Sequence, residues 1–290
     1  HVVALLLREK SISVNHETKD GCVPLHAACQ EGYAEISQML LPRTEDVNCA
    51  NNDGLTPLFM ACRGGYIEIV SMLLRRKDID VCRASNSEIL SPLFVASENG
   101  HERVVRKLLA HASIDVNQAR YDGATSLFIA SVEGHEGVVR LLLRDLAINP
   151  NRAREADDGW SPLMIACLRD HLPVVSALLS HEDIDVNHAG ELGETALYLA
   201  CQKGYGPIVA LLLREKGILV NRAVSFGATP LMTACESGHD SVAKMLLESK
   251  KGVDVNAATP DGSHTALYLA CARGHAEVVR VLLADNSIDV

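Results

Sequence analysis

Asp53-Gly54-Leu55-Thr56-Pro57-Leu58-Phe59-Met60-Ala61-Cys62 decides the fold of this chain. Asn52-Asp53-Gly54 reads as a tight turn. Thr56-Pro57 then starts a helix: the hydroxyl can cap free backbone N–H groups, and proline is tolerated in the first turn. Leu58 and Ala61 lie three apart, on one face of a short helix. Small Ala61 and Cys62 allow close packing, and Gly65 ends the helix with positive φ. Ile67, Ile69, Val70, Leu73 and Leu74 form the apolar stripe of a second, longer helix. Asp80-Val81 leads out into an extended segment.

The same arrangement recurs along the chain. Pro24-Leu25, Pro57-Leu58, Pro92-Leu93, Ser126-Leu127, Pro162-Leu163, Ala196-Leu197, Pro230-Leu231 and Ala266-Leu267 mark eight units, spaced by 33, 35, 34, 36, 34, 34 and 36 residues. Each leucine is followed three residues later by Ala28, Ala61, Ala96, Ala130, Ala166, Ala200, Ala234 or Ala270. A glycine with His or Tyr, a Val-Val-like pair, a Leu-Leu pair and usually Ile-Asp-Val-Asn complete the unit. One unit cannot bury both helices alone, so stacked neighbours supply the missing core face.

This pattern resembles the ankyrin repeat. Val23-Pro24-Leu25-His26 is similar to its Thr-Pro-Leu-His motif, and Gly274-His275-Ala276-Glu277-Val278-Val279 to its second-helix opening. The implied fold is all-α: an α-solenoid of stacked helix-turn-helix units with short β-hairpin loops. A single array is expected over 1–290, with a partial repeat at 1–17 and repeats starting near 18, 51, 86, 120, 156, 190, 224 and 260, the last incomplete. His1 to Glu9 reads as the second helix of a preceding repeat. Val2, Val3, Leu6 and the Leu282-Leu283 region are expected to be uncovered, implying flanking repeats. Ile89 stands where a hairpin glycine is usual and predicts an altered turn near Glu88 to Ser91. Asp170 stands for an inter-helix glycine and tolerates left-handed geometry. One extra residue enters at Gly262-Ser263-His264, and Asn149-Pro150-Asn151 breaks the Ile-Asp-Val-Asn form.

Composition agrees with thin repeated layers. Of 290 residues 48% are hydrophobic but only 4% aromatic. The net charge of −10, from 37 acidic and 27 basic residues, disfavours nonspecific binding to nucleic acid or anionic membrane. Val2 to Leu7 is far short of the ~20 apolar residues that span a bilayer. Cys29, Cys62, Cys167, Cys201, Cys235 and Cys271 follow alanines, with Ser97 and Ser131 in the same place elsewhere, so they read as small buried residues. Equivalent positions roughly 10 Å apart are too distant for disulfides. A reducing, intracellular setting, cytoplasmic or nuclear, follows.

Catalytic chemistry finds no footing. His135-Glu136 and His181-Glu182 lack the second histidine of a zinc-protease helix. No phosphate-binding glycine loop and no nucleophile elbow is present. His101, His135, His171, His239 and His275 open second helices and are expected to brace adjacent turns. Phe59, Phe94, Phe128, Tyr198 and Tyr268 are expected in the core. No metal or cofactor is called for.

The resemblance implies binding on the concave side, formed by hairpin tips and first helices. Carried over, the tips are Asn52, Asp53, Leu55, Glu88, Leu90, Tyr121, Asp122, Asp158, Trp160, Leu192, Glu194 and Phe226. The first-helix ends give Arg63, Glu98, Glu133, Leu168, Arg169, Gln202, Lys203 and Glu236. Trp160 is the foremost apolar anchor, since Trp and Tyr are over-represented among binding hot spots. Asp20, Asp53, Glu88, Asp122, Asp157, Asp158, Glu191 and Asp261 make the rim acidic, which suits a protein or peptide with a basic segment. The expectation is a monomeric protein-interaction scaffold without catalysis. The alternatives are a regulatory or targeting segment of a larger enzyme, channel or effector, and a structural spacer.

Overall fold

The computed structural model describes residues 12–156 and 158–289. Its contacts divide the chain into two compact units, His1–Asn149 and Pro150–Val290. Unit 1 holds helices α1 (Pro24–Gln30), α2 (Ala34–Leu40), α3 (Pro57–Arg63), α4 (Ile67–Leu73), α5 (Pro92–Glu98), α6 (Glu102–Leu109), α7 (Ser126–Glu133) and α8 (Glu136–Leu142). Unit 2 holds α9 (Pro162–Leu168), α10 (Leu172–Leu179), α11 (Ala196–Lys203), α12 (Gly206–Leu212), α13 (Pro230–Glu236), α14 (Asp240–Glu248), α15 (Ala266–Arg273) and α16 (Ala276–Leu283). Odd-numbered helices are the first of each pair and even-numbered ones the second. Within each unit, first helices stack on first helices and second on second. The all-helical stack expected from the sequence is what forms.

The caps are those the sequence dictates. Thr56 Oγ accepts from the Phe59 N–H at 3.1 Å, and Ser91, Thr125, Ser161, Thr195, Thr229 and Thr265 do the same for their own helices. Val23 has no hydroxyl. The His26 ring takes over, accepting from the Val23 N–H at 3.1 Å through Nδ1. First helices are then buried on several sides: Pro57 through Cys62 are all buried, with Leu58, Ala61 and Cys62 at 0% exposure. The Ala-Cys pairs let neighbouring first helices approach closely, because neither side chain extends beyond one heavy atom past Cβ.

Second helices begin at His or Tyr N-caps, and four histidines brace as expected. The rings of His101, His135, His239 and His275 donate from Nε2 to the carbonyls of Arg63, Glu98, Gln202 and Glu236, at 3.0 to 3.1 Å. Each of these carbonyls lies in the last turn of the preceding repeat's first helix, which would otherwise leave it unpaired. The glycine at the inter-helix turn makes room for the ring. A Cβ on Gly65, whose φ is +73°, would sit 2.7 Å from the His101 imidazole. Asp170 holds the equivalent left-handed position at φ 60°, as the sequence suggested.

A second row of bonds was not read from the sequence. The asparagine of each Ile-Asp-Val-Asn segment reaches one repeat forward. Asn187 donates from Nδ2 to the Gly217 carbonyl at 2.9 Å and accepts at Oδ1 from the Leu219 N–H at 2.9 Å. Asn48, Asn221 and Asn256 repeat both bonds. Cys82 occupies this slot in its unit, and the thiol substitutes for the amide: Sγ donates to the Ser113 carbonyl at 3.3 Å and accepts from the Asp115 N–H at 3.4 Å.

The tips depart from the expected hairpins. Among the described residues there are no strands, only isolated bridges at Ala119 and Thr125, Ala189 and Thr195, and Ala258 and Thr265. Tip amides instead bond sideways to the previous tip: Asn52 N–H to the Asp20 carbonyl at 3.0 Å, Asn86 to Asp53 at 2.9 Å, Glu191 to Asp158 at 3.0 Å and Ser225 to Leu192 at 2.7 Å. The Glu88–Ser91 turn is lengthened by one residue, closing from the Ser85 N–H to the Leu90 carbonyl where Asn51 closes to Leu55. Ile89 nevertheless takes φ 55°, so the left-handed position survives with a β-branched side chain in it.

The core assignments hold with exceptions at one end of unit 2. Phe59, Phe94, Phe128 and Tyr198 are buried. Tyr268 and Cys271 on α15 are exposed; among the described residues the first helix packed on α15 is α13. Leu282 is fully buried against the expectation that it be uncovered, while Leu283 is exposed. The expectations for His1–Glu9, Val2, Val3, Leu6 and Asp157 fall outside the described residues.

Leu142 is at 0% exposure, so Leu142→Ala is expected to cost about 2–5 kcal/mol in urea melts. Glu155 is exposed, and Glu155→Ala is expected to cost under about 0.5 kcal/mol. Equal losses would contradict the register. Asn187→Ala removes both bonds of one ladder rung, and the same melts should register about 1–2 kcal/mol. A loss indistinguishable from zero would make the ladder incidental.

Candidate functional site

Each unit carries part of the sequence-selected set. In unit 1 the tip residues Asn52 and Asp53 are largely braces. Asn52 Nδ2 donates to the Lys19 carbonyl at 3.0 Å, and the Asp53 carbonyl takes the Asn86 amide. Leu55 and Leu90 are half-buried between neighbouring turns. Tyr121 stands out, 66% exposed.

Asp122 is the clearest revision of the expected acidic rim. It is buried, at 8% exposure, where an open carboxylate was expected. Its oxygens grip the Arg120 guanidinium in a two-point pair, with Nε to Oδ1 at 2.9 Å, and Oδ1 also takes the Ala124 N–H at 3.1 Å. Arg120 is thereby fixed 5.8 Å from the Phe94 ring centre and 5.5 Å from that of Tyr121, within cation–π reach of both. Asp122 therefore builds the turn, and Tyr121 is what the turn presents.

Beside this anchored pair lie the carboxylates of Glu88, Glu98 and Glu133. Burial pushes the Glu98 carboxyl above its usual range, and the charges of Glu133 and Glu88 push it the same way; Arg120 and Arg63 oppose them. Arg120 is already committed to Asp122. The first-helix ends of unit 1 therefore carry more negative charge than their neighbours neutralise.

In unit 2 the expected anchor is partly enclosed. Trp160 is half-buried, and its Nε1–H is a buried donor without a partner. The indole lies on Gly190 of the next tip, where a Cβ would come within 2.8 Å of it. Asp158 pairs with Arg154 and accepts from the Trp160 N–H at 3.2 Å. The turn closes from Arg154 to the Trp160 carbonyl, two residues longer than the turn at Asn51. Trp160 thus fills the space between two tips, and the apolar surface presented outward is elsewhere.

That surface is Leu192, 55% exposed, and Phe226, 61% exposed. Glu194 folds back to take the Leu192 N–H at 3.2 Å. Leu168 is half-buried, while Arg169, Gln202 and Lys203 are exposed. Phe226, Pro260, His264 and Leu269 line a cleft of about 510 Å³ with Glu236 and Asp261 at its edge. Glu236 is held by Arg273 at 2.6 Å, and Asp261 takes the hydroxyls of Thr259 and Ser263, both at 2.6 Å. Pro260, His264, Leu269 and the exposed Ile89 were missed by the sequence reading. The extra residue at Gly262-Ser263-His264 was the available signal for the cleft.

The thiols offer no reactive group in the core. All nine cysteines are free. Burial pushes Cys29 and Cys235 up to about 12, and Cys62, Cys167 and Cys201 higher still, so these stay protonated at neutral pH. Among the described residues no helix is long and apolar enough to cross a membrane.

The chain matches the family described as ankyrin repeats (3 copies) over residues 1–85, 80–154, 146–224 and 219–290, and belongs to the ankyrin-repeat family. Repeats of this family are in general protein-interaction modules, and the fold is typically non-catalytic. No curated protein matches the chain at a significant level.

His26 gives unit 1 a pH-sensitive support. Its Nε2–H donates to the Leu55 carbonyl at 3.0 Å while Nδ1 accepts from the Val23 N–H, an arrangement open only to the neutral ring. Burial lowers its pKa below 6.5. The unfolded chain therefore takes up this proton first, and the stabilisation, complete above 6.5, is lost as pH falls below it. In urea melts at pH about 7.5 and about 5.5, wild type should lose more stability on acidification than His26→Gln. Equal losses would mean that the neutral ring is not required.

Proposed function

We infer that the chain is a protein-interaction scaffold whose unit 1 takes a basic segment of its partner on the carboxylates of Glu88, Glu98 and Glu133. The observation that carries this reading is the gathering of Glu88, Glu98 and Glu133 beside an Arg120 already paired with Asp122; burial and the neighbouring carboxylates raise the Glu98 pKa accordingly. A Lys or Arg side chain placed among these carboxylates relieves their repulsion, and partial burial keeps the attraction from being screened away. Leu90, Ile89 and Tyr121 flank them with apolar surface, so the favoured segment alternates basic and apolar residues.

Unit 2 contributes a contact of different character. Leu192, Phe226 and the cleft beside Pro260 accept an apolar side chain of a partner. Arg169, Gln202 and Lys203 give that face a polar edge. Nine free thiols support a reducing, intracellular setting. The reading assigns no catalysis to the chain and is compatible with a regulatory or targeting role within a larger protein.

The test is titration of the chain with a Lys- and Leu-containing peptide, followed by fluorescence anisotropy across pH and salt. Binding favours the ionised carboxylate. Affinity should therefore rise as pH increases through the elevated Glu98 range and fall with added salt. Glu98→Gln should flatten the pH dependence. A pH profile unchanged by Glu98→Gln would move the site elsewhere.

A further inference from the structure

Five Ser-Pro or Thr-Pro pairs occur in the chain, and four of them do one job. Thr56, Ser91, Ser161 and Thr229 cap first helices, each accepting the N–H three residues on. All four are buried, and so are the prolines that follow them. The fifth pair, Thr259-Pro260, caps no helix; that task on α15 belongs to Thr265. It sits at a tip of unit 2, where Thr259 is half-buried and Pro260, Asp261, Gly262 and Ser263 are exposed.

This tip lacks a bond that anchors its neighbours. Asn52, Glu191 and Ser225 stand two residues ahead of a turn glycine and donate their N–H sideways to the previous tip. Pro260 holds that place ahead of Gly262 and has no N–H, so the bond cannot form. Ser263 also lengthens the turn, which closes from the Thr259 N–H to the His264 carbonyl at 2.9 Å, where Val224 closes to Ala228 at 3.1 Å. The Thr259 hydroxyl donates to Asp261 Oδ1 at 2.6 Å and accepts from the His264 N–H at 3.1 Å, with Ser263 Oγ 3.5 Å away. These contacts all lie within the turn. Releasing this hydroxyl opens one tip, whereas releasing any of the other four undoes a buried helix start. Hydrogen bonds from Ser263 and Thr259 hold the Asp261 carboxyl well below the usual carboxylate range, so it is ionised.

We propose that Thr259 is a phosphorylation site for a proline-directed Ser/Thr kinase, and that the phosphate opens the Thr259–His264 turn. A proline after the acceptor brings no N–H that a kinase groove would have to pair. Thr259 Oγ1 attacks the γ-phosphorus of ATP: the Oγ1–P bond forms, the bond from that phosphorus to ADP breaks, and the hydroxyl proton passes to the kinase's base. The bond from Thr259 to Asp261 is then lost, because Oγ1 no longer carries a proton. The new group brings about −1.5 to −2 charge beside the ionised Asp261, and like charges this close drive the turn apart. Pro260 lies over Gly227, where a Cβ would collide with its ring, so opening the turn also reshapes the cleft beside Phe226. That last consequence bears on binding only if unit 2 uses the cleft as inferred above; the modification itself does not rest on that reading.

The test is incubation of the whole folded chain with a purified proline-directed Ser/Thr kinase, ATP and Mg²⁺, with sites mapped by mass spectrometry of the peptides. Wild type should take up a single phosphoryl group, at Thr259. Thr259→Ala and Pro260→Ala should lose it, while Thr259→Ser and Ser263→Ala should keep it. These substitutions lie in a tip outside the helices, so circular dichroism melts should coincide with wild type. In the phosphorylated chain, hydrogen exchange at the Gly262 and His264 amides should accelerate, with the amides of α13 unchanged. No uptake, uptake at Thr56, Ser91, Ser161 or Thr229 in place of Thr259, or uptake indifferent to Thr259→Ala would overturn the site. Unchanged exchange at Gly262 and His264 would overturn the opened turn. None of these readouts involves Glu98 or a bound partner, so failure here is distinct from failure of the basic-segment reading.

Discussion

Everything in this molecule depends on how closely one first helix can approach the next. The Ala-Cys and Ala-Ser pairs set that distance. Ala61, Cys62, Ala96 and Ser97 in unit 1, and Ala166, Cys167, Ala200 and Cys201 in unit 2, are at 0% exposure. With the first helices this close, a histidine one repeat on can reach the preceding helix's last carbonyl. An asparagine can likewise cross to the next segment, and tip amides can bond sideways. A larger residue at an Ala position would force all three contacts apart together, because interiors packed to crystal density have no slack to absorb added volume.

This geometry divides the polar residues into two kinds. Those repeating at the period are used internally: the Thr and Ser caps, His101, His135, His239 and His275, and the Asn ladder. Those that break the period either build a turn, as Asp122 does, or are left facing solvent. In unit 1 the breaks on the first-helix side include the carboxylates of Glu88, Glu98 and Glu133. In unit 2 the breaks are apolar, at Leu192 and Phe226. Function in a stacked repeat resides in such departures, since the regular positions are consumed by stacking.

The sequence made the helices, their caps and the buried cysteines legible, because each is set by local spacing. Thr56-Pro57 and Gly65 can be read without knowing what lies beside them. The Asn ladder was hidden for the opposite reason: Asn187 acts on residues 30 and 32 positions away, and nothing local signals that. Asp122 and Trp160 were read as open because their positions lie on a tip. Both turn inward, Asp122 to hold Arg120 and Trp160 to cover Gly190. Tyr268 and Cys271 follow the core pattern yet are exposed, since the pattern itself does not say which faces are covered. Ile89 shows that a glycine position can be filled by a β-branched residue once the turn gains one residue.

The central claim is that unit 1 takes a basic segment on the carboxylates of Glu88, Glu98 and Glu133. Hydrogen–deuterium exchange of the chain with a saturating basic peptide tests it most directly. New protection should be confined to residues 85–90 and to the C-terminal turns of α5 and α7, with the amides of α6 and α8 unchanged. Protection along α6 and α8, or spread evenly over unit 1, would contradict the account.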